Sequence, residues 1–343
     1  MSYKTIFFLM LFLLSCSRPR EREVYPAFYH WQTRLELSPG ERTLADSLGA
    51  RRLYVKFFDV DWDGAFGEPA PLAEVQLAPA TYTGLEVVPA VFITNRSLEQ
   101  LPMEGVARLA ANIIDHIFVL AEADSSLQLR EIQLDCDWTA GTREVYFQLL
   151  RLMGEKLEAR GVSLSATIRL HQLRYPERTG VPPVKRGMLM FYNMGSLEDW
   201  AEPNSILNLK KAEPYLQGFA DYPLPLDLAL PLFHWGVLYR EGRMIRLINN
   251  LEEGQLADRA RFQLLGPGRY QVVQGTFLDG YYLYEGDLIR LESVDAGLLQ
   301  QAARRLQRLP WGPEMTLAFY HLDSTAVRAF KIADLAQLEE AFR

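Results

Sequence analysis

The sequence predicts an α/β protein of the (β/α)8 TIM-barrel type, with a small β insertion between strands 7 and 8. Short apolar runs alternate with longer amphipathic runs along the chain, which is the order of elements expected around a parallel sheet. Eight such runs are found, and eight strands close a barrel. The chain has 343 residues and is 49% hydrophobic, which is enough for one large core.

The predicted strands are short apolar or β-branched segments, most of them ending in polar or aromatic residues. They span residues 27–31, 53–59, 87–94, 132–138, 164–171, 188–194, 229–235 and 316–321. The clearest helix follows the fourth strand, where Thr142 is a plausible N-cap, apolar residues recur at helical spacing, and Gly161 ends the pattern. Residues 103–123 form a similar amphipathic stretch after the third strand.

The insertion is predicted at about residues 240–294. Turn signals at Asp279-Gly280 and Glu285-Gly286 separate short β-type runs, and a helix is expected from about Asp295 to Leu309. We expect one barrel domain over residues 24–343, functioning as a monomer.

The amino terminus has the features of a secretory signal. Lys4 precedes an apolar run from Ile6 to Leu14, which is shorter than the roughly 20 residues of a membrane span. Leu13, Leu14 and Ser15 before Cys16 resemble a bacterial lipobox. This predicts a signal peptide over residues 1–15, lipidation of Cys16, a tether over residues 16–23, and a lipoprotein of the cell envelope at the outer membrane or periplasmic face. An ordinary signal peptide with an incidental cysteine is the alternative.

Composition excludes several classes of function. The formal net charge is −7, and no basic cluster interleaved with aromatic residues points to nucleic acid. If Cys16 is acylated, Cys136 is left alone and no disulfide framework exists. We expect no cofactor.

The fourth predicted strand ends with two acids. In "EIQLDCDWT", from Glu131 to Thr139, alternation places Gln133, Asp135 and Asp137 on one face. In a barrel the apolar face packs under the helices, so the acids are expected to point inward at the carboxyl end, where such barrels carry their sites.

Other polar residues occupy equivalent positions. Arg169 and His171 end a polar face of the fifth strand, and Lys56 is in phase with Tyr54 on the second. Unpaired charges inside the barrel would cost several kcal/mol, so a lattice of Lys56, Arg169, Asp135 and Asp137 is expected.

Histidines and aromatic residues also concentrate at strand ends. His30, His234 and His321 end the first, seventh and eighth strands, which become neighbours when the ring closes. They either contact a ligand or hydrogen-bond to carboxylates and loop carbonyls that shape the pocket. We expect no metal, because the His-x-His pattern of amidohydrolase-type barrels is absent. Several aromatic residues at the same ends either stack on sugar rings or pack under helices, namely Trp31, Trp62, Trp138, Tyr192 and Trp235.

Two motifs resemble the chitinase-like glycoside hydrolases of family 18, which are (β/α)8 barrels. Their fourth strand ends in D-x-x-D-x-D-x-E, and Asp135 and Asp137 match the last two aspartates. Their sixth strand carries M-x-Y-D, and Met190 and Tyr192 in "MFYN" match its first two defined positions. Thr139 stands where the family has its acid/base glutamate, and Asn193 replaces the sixth-strand aspartate. The family's substrate-assisted mechanism therefore does not transfer as it stands.

The chain also resembles an uncharacterised bacterial barrel family, domain of unknown function 3142. The similarity lies in "YHWQT", "IQLDCDWT" and "LSATIRLHQL", which begin at Tyr29, Ile132 and Leu164. This resemblance implies the barrel fold and no particular activity.

Three functions follow from these residues. The first is a glycoside hydrolase in which Asp135 and Asp137 are catalytic, completed by a loop acid such as Asp59, Asp61, Glu198 or Asp323. The second is a non-catalytic glycan-binding or envelope-assembly lipoprotein, and the third is a buried charge lattice with a purely structural role. For either of the first two, the expected ligand is a carbohydrate and the expected contacts are Lys56, Arg169, His171, Tyr192, Asn193, His30, His234, Trp235 and His321.

Overall fold

A closed ring of eight parallel strands forms the centre of the molecule, of which the computed structural model describes residues 22–343. The strands are β1 (Glu23–His30), β2 (Arg52–Asp63), β3 (Glu86–Ile93), β4 (Glu131–Asp135), β5 (Ser163–Ile168), β6 (Arg186–Met190), β7 (Leu226–Pro231) and β8 (Glu314–Tyr320). Each strand pairs with the next, and β8 pairs with β1 from Glu314 beside Glu23 to Tyr320 beside Tyr29. The predicted TIM-type barrel is confirmed.

Helices cover most of the outside of the ring. The α-helices are Pro39–Ser47, Asn95–Gln100, Val106–Ala121, Arg143–Glu158, Leu170–Arg174, Pro176–Thr179, Leu209–Leu216, Ala296–Leu306, Ser324–Ala329 and Ile332–Glu340. Short 3-10 turns lie at Pro79–Thr81, Met103–Gly105 and Glu253–Leu256. Within residues 64–85, between β2 and β3, the chain has no α-helix and instead forms an antiparallel hairpin between β2 and Glu68–Leu72. Among residues 22–343, no helix is both long enough and apolar enough to cross a membrane.

The predicted signal peptide and Cys16 lie outside the described residues. The same is true of most of the predicted tether, although β1 already begins at Glu23.

The insertion between β7 and β8 is also confirmed. Its main part is a five-stranded antiparallel sheet in the order Arg243–Asn249, Trp235–Arg240, Leu288–Glu292, Arg269–Val272 and Phe262–Gly266. A separate hairpin joins Thr276–Leu278 to Tyr281–Leu283. Its turn is the predicted Asp279-Gly280, with φ of 49° and 73°, the left-handed conformation that tight hairpins favour.

A buried ion pair anchors this insertion to the loop after β6. Arg290 is fully buried, and its Nε lies 2.6 Å from Glu292 Oε1. The Arg290 guanidinium also donates to the backbone carbonyls of Ser196 and Asp199. Glu292 in turn accepts hydrogen bonds from Ser205 and from the Trp235 indole. One side chain pair therefore ties the insertion sheet to the barrel loop.

Four predicted strands, β4 to β7, end three or four residues earlier than expected. β4 stops at Asp135, where its last pairing is with Phe92, and β5 stops at Ile168 before a helix that begins at Leu170. Once the chain leaves the ladder, side chains no longer alternate between the two faces. Trp138 nevertheless packs outward, on the side that the alternation predicts, and stacks on Tyr146 with ring centroids 5.1 Å apart. Thr142 does precede the helix, as predicted, but its hydroxyl donates to Asn95 and does not cap the helix.

The lower half of the barrel interior holds a network of charges. Arg52 bridges Glu86 and Glu131, each at 3.2 Å. On the opposite side Arg186 lies 3.0 Å from Asp227, which also accepts a hydrogen bond of 2.6 Å from the Thr316 backbone N–H. Burial nevertheless dominates and raises the pKa of Asp227 to about 6.

We predict a pH-dependent contribution of Asp227 to stability. Because its folded-state pKa is raised, the folded chain retains a proton that the unfolded chain has lost between about pH 4 and pH 6. The stabilisation present below about pH 4 should therefore be lost as the pH rises to about 6, by up to about 3 kcal/mol at roughly 1.4 kcal/mol per pKa unit. Urea unfolding across this pH range gives the unfolding free energies of the wild type and of Asp227→Asn. The difference between the two should change with pH. A pH-independent difference would contradict the prediction.

Candidate functional site

A cavity of about 550 Å³ opens at the carboxyl ends of the barrel strands. Its walls combine strand ends with loops that include the start of the insertion. The lining residues are Trp31, Gln32, Phe92, Asp135, Arg169, Tyr192, Asn193, Phe233, His234, Trp235, Asn249, Asn250, Tyr320, His321 and Asp323. Seven of the predicted site residues are among them, whereas Asp137, Lys56, His171 and His30 are not.

Asp135, the last residue of β4, lines this cavity. It is 6% exposed, and its Oδ1 accepts a hydrogen bond of 2.6 Å from Thr167 and one of 3.1 Å from Arg169. Both bonds end on Oδ1, which leaves Oδ2 as the oxygen available to a ligand. Two donors on one oxygen suit a carboxylate that accepts hydrogen bonds from a ligand better than an acid that must give up a proton.

Asp137 does not accompany Asp135 into the cavity. Its side chain is 56% exposed, and its Oδ1 lies 3.6 Å from Nε2 of His171, whose side chain is 43% exposed. The expectation that both acids project from one strand face fails because β4 has already ended. The backbone carbonyl of Asp137 accepts a hydrogen bond from the Asn95 side chain, which fixes this part of the chain at the rim of the cavity. Asp137 and His171 therefore form an exposed pair outside the cavity.

The predicted four-member lattice is replaced by separate ion pairs. Lys56 is buried and binds Asp59 at 3.0 Å, within the same strand. Arg169 binds Asp135. Burial alone would lower the pKa of Arg169, but the negative charge of Asp135 helps to outweigh burial, so the pKa of Arg169 is raised. A local β-bulge between Lys56 and Phe58 helps place Lys56 and Asp59 side by side.

The three strand-end histidines lie on one side of the mouth. His321 lines the cavity, and its Nε2 is 3.2 Å from Oδ2 of Asp323, whose Oδ1 caps the helix Ser324–Ala329. His30 is 1% exposed, and burial together with the nearby His321 lowers the pKa of His30 to about 4. Burial also lowers the pKa of His321. Both imidazoles are therefore neutral near pH 7.

Ring nitrogens of all three histidines lack hydrogen-bond partners within residues 22–343. They are Nδ1 of His30, Nδ1 of His321 and Nε2 of His234. Of the carboxylates expected to satisfy these imidazoles, Asp323 does so at Nε2 of His321. The sequence suggested four loop acids that could complete the site, namely Asp59, Asp61, Glu198 and Asp323. Of these four, Asp323 lines the cavity.

Aromatic rings form the floor of the cavity. Tyr320 lies 5.2 Å from Tyr192 and 5.7 Å from Phe233, measured between ring centroids. Below it, Tyr29 stacks on Tyr54 at 4.8 Å and donates to Gln133. Burial raises the pKa of Tyr192 and Tyr320, so both keep their hydroxyl protons near neutral pH.

Some lining residues were not predicted. Tyr320 could have been found, because "AFYHL" repeats the "AFYH" of the first strand and β1 pairs with β8 at Tyr29 and Tyr320. Asn249 and Asn250 come from the end of an insertion strand, and no local signal places them near a barrel strand. Within residues 22–343, no three His, Cys, Asp or Glu side chains are placed to hold a metal ion.

The fold is similar to those of solved chitinase-like barrels. The spore cortex-lytic enzyme SleL of Bacillus megaterium has a TM-score of 0.58 and 13% identity, over 94% of this chain and 75% of that one. A chitinase of Chromobacterium violaceum has a TM-score of 0.54 and 13% identity, over 93% of this chain and 99% of that one. The family 18 chitinase ChiB of Flavobacterium johnsoniae has a TM-score of 0.53 and 9% identity, over 94% of both chains.

At these identities the similarity shows a shared fold, which agrees with the resemblance to family 18 seen in the sequence. No known family model and no curated protein matches the chain. The resemblance to domain of unknown function 3142 therefore stays a prediction.

We predict unequal effects on stability for Asp135 and Asp137, the two acids that the sequence pairs on one strand face. Asp135→Ala should lower the unfolding free energy by about 1–3 kcal/mol, because it strands the buried donors of Thr167 and Arg169. Asp137→Ala should change it by less than about 0.5 kcal/mol, since that side chain is exposed. Thermal and urea unfolding of the two variants provides the test, and equal losses would contradict this assignment.

Proposed function

We propose that the protein is a glycan-binding barrel of the cell envelope that holds a saccharide in the cavity at the carboxyl ends of its strands. The single observation that supports this is the composition of the cavity wall. It combines broad aromatic side chains with amide, imidazole, carboxylate and guanidinium groups. The volume of about 550 Å³ falls in the range of roughly 300–1,000 Å³ typical of small-ligand pockets.

The aromatic and polar parts of the wall suit the two kinds of surface on a sugar. The Trp31, Phe233 and Trp235 rings offer apolar faces for the C–H face of a pyranose. Asn193 and Asn250 offer both donors and acceptors, which suit hydroxyl groups. Asp135 Oδ2 would accept from a further hydroxyl. A neutral, polyhydroxylated ligand is favoured because the Arg169 charge of the wall is already compensated by Asp135.

Binding is preferred over hydrolysis of the family 18 type. Thr139 occupies the position of the acid/base glutamate, and a hydroxyl does not protonate a glycosidic oxygen near neutral pH. Asp137, the neighbouring acid, is exposed outside the cavity. The residues that resemble the family's catalytic motif are therefore unable to perform its reaction here.

A second candidate is hydrolysis by a different pair of acids. Asp135 is the last residue of β4 and Asp323 follows β8, and these strands lie four positions apart around a ring of eight. The two carboxylates therefore approach the cavity from opposite sides, which is the arrangement that a glycosidase needs on either side of the scissile bond.

The location is also part of the proposal. The lipobox-like sequence at Cys16 supports a lipoprotein anchored in the cell envelope, at the outer membrane or periplasmic face. Electrospray mass spectrometry of the protein from its native membrane, with Cys16→Ser as the control, tests for the diacylglycerol and N-acyl groups.

We predict that removing two amides from the wall weakens saccharide binding. Asn193 and Asn250 have positive φ values of 54° and 56°, so glycine should replace either without backbone strain while removing the side chain. Losing about one hydrogen bond at each should raise the dissociation constant of a bound tetrasaccharide by about tenfold or more in Asn193→Gly/Asn250→Gly. Isothermal titration with chito-, cello-, xylo- and malto-tetraose measures it.

The matched control is Glu241→Gly/Asp279→Gly, which makes the same backbone change at two exposed positions outside the cavity wall. Reducing-end release from the corresponding polymers, measured in parallel, separates the two candidate functions. If the wild type releases reducing ends and Asp323→Asn does not, the hydrolase is established. Absence of both binding and release for every saccharide, with the fold intact, would overturn the proposal.

A further inference from the structure

The chain enters the barrel on the side opposite the cavity. β1 begins at Glu23, whereas Trp31 and Gln32, which follow β1, line the cavity at the other end. β1 has eight residues, so its ends lie about 23 Å apart, for seven steps of roughly 3.3 Å. We call the entry side the amino face, which is formed by the first residues of the eight barrel strands, namely Glu23, Arg52, Glu86, Glu131, Ser163, Arg186, Leu226 and Glu314.

Hydrogen bonds fix the point at which the chain enters. The backbone N–H of Glu23 donates to the Pro313 carbonyl at 2.9 Å. The Arg22 guanidinium donates to the backbone carbonyls of Gly312 at 3.0 Å and Phe342 at 2.6 Å. These acceptors belong to the segment before β8 and to the end of the chain. The chain is therefore held against the amino face from Arg22 onward.

The predicted anchor is close to this entry point. Cys16 lies six residues before Arg22, and six residues of extended chain span at most about 22 Å. If the mouth of the cavity faced the bilayer, the tether would first have to pass the helix layer outside the ring, which is about 10 Å thick. It would then have to cover the height of the barrel, roughly 19 Å for β1 at the usual strand tilt of about 36°. Together these two distances exceed the reach of the tether.

The amino face also offers an apolar surface beside the entry point. A second cavity of about 490 Å³ opens there, at the starts of β6, β7 and β8. Gly312 and Pro313, which hold Arg22 and Glu23, are part of its wall. The wall also contains apolar rings and one cation, namely Phe219, Pro223, Pro225, Pro310, Trp311 and Arg186. Aromatic rings and cations of this kind suit the headgroup region of a bilayer.

We propose that the anchored protein lies with its amino face toward the membrane, so that the saccharide cavity opens away from the bilayer. This inference rests on the proposed function, both for the anchor at Cys16 and for the saccharide in the cavity. It narrows the substrate class to a glycan that stands free of the anchoring membrane. The short sugar headgroup of a glycolipid in the same bilayer does not reach a mouth that lies beyond the height of the barrel.

The orientation is tested with one fluorescent label on each side of the barrel. Lys185→Cys places the label at the amino face, directly before β6, and Phe66→Cys places it on the mouth side, in the hairpin after β2. The Lys185 side chain is 69% exposed and Phe66 is 81% exposed, so neither change should disturb the fold. Cys136 is buried, so the wild type is the control for labelling of the native thiol.

The lipidated full-length variants are placed in phosphatidylethanolamine–phosphatidylglycerol vesicles that contain lipids with a nitroxide on the headgroup. Quenching at Lys185→Cys should exceed quenching at Phe66→Cys by about twofold or more, because the tether holds the amino face near the headgroups. The same labels in a Cys16→Ser background should lose this difference. Equal quenching of the two lipidated variants, or stronger quenching at Phe66→Cys, overturns the orientation.

The substrate class is tested on a supported bilayer that holds the lipidated wild type. Dye-labelled chito-, cello-, xylo- and malto-tetraose are added in solution, and the same tetraoses linked to phosphatidylethanolamine in the bilayer serve as competitors. We expect the linked tetraoses to change binding of the soluble ones by less than about twofold. The matched control inserts about 30 Gly and Ser residues between Ser17 and Arg18, a flexible segment whose reach exceeds the height of the barrel, and competition should then appear. Equal competition in both proteins contradicts the inferred substrate class.

Failure of this inference is distinguishable from failure of the proposed function. If no tetraose binds from solution, the cavity proposal and the inferred substrate class are wrong, and label quenching still decides the orientation. If mass spectrometry finds no acyl group on Cys16, the anchor and the orientation are wrong, and the cavity proposal stands. If tetraoses bind and Cys16 is acylated but quenching is equal on both sides, the inference alone is overturned.

Discussion

Pairing of β8 with β1 is the constraint on which the site depends. It closes the sheet, and closure encloses one face of every strand in a space lined by side chains. Charged residues on that face must then find partners within the ring. Arg52 does so with Glu86 and Glu131 near the bottom, and Arg169 does so with Asp135 near the top. The cavity begins where this paired interior ends.

The polar interior has consequences for chemistry as well as stability. A carboxylate that is already bound by Arg169 and Thr167 is positioned with little freedom, which favours recognition of a fixed pattern of hydroxyls. The neutral imidazoles of His30 and His321 add little charge on the other side of the mouth. The site is therefore rich in hydrogen-bonding groups, and the charge of Arg169 within it is compensated by Asp135.

Sequence periodicity predicted the barrel and the central part of its site. It placed Asp135 and Arg169 inside because Asp135 is the last residue of β4 and Arg169 comes directly after β5, where the alternation of the strand still sets the direction of the side chain. It misplaced Asp137 and His171, since the ends of β4 and β5 depend on where neighbouring strands stop pairing. That information is non-local. Asn249, Asn250 and Asp323 reach the cavity from connections between elements, and their position depends on the packing of the insertion and the last helices.

The buried contact between Arg290 and Glu292 determines how the cavity can be entered. Swinging the insertion away from the loop after β6 would expose both charges and break the bonds to Ser196, Asp199 and Ser205 together. Such a hinge motion is costly, so the insertion is a stationary wall and not a lid. The side of the mouth that the insertion forms therefore keeps its position when a ligand enters or leaves.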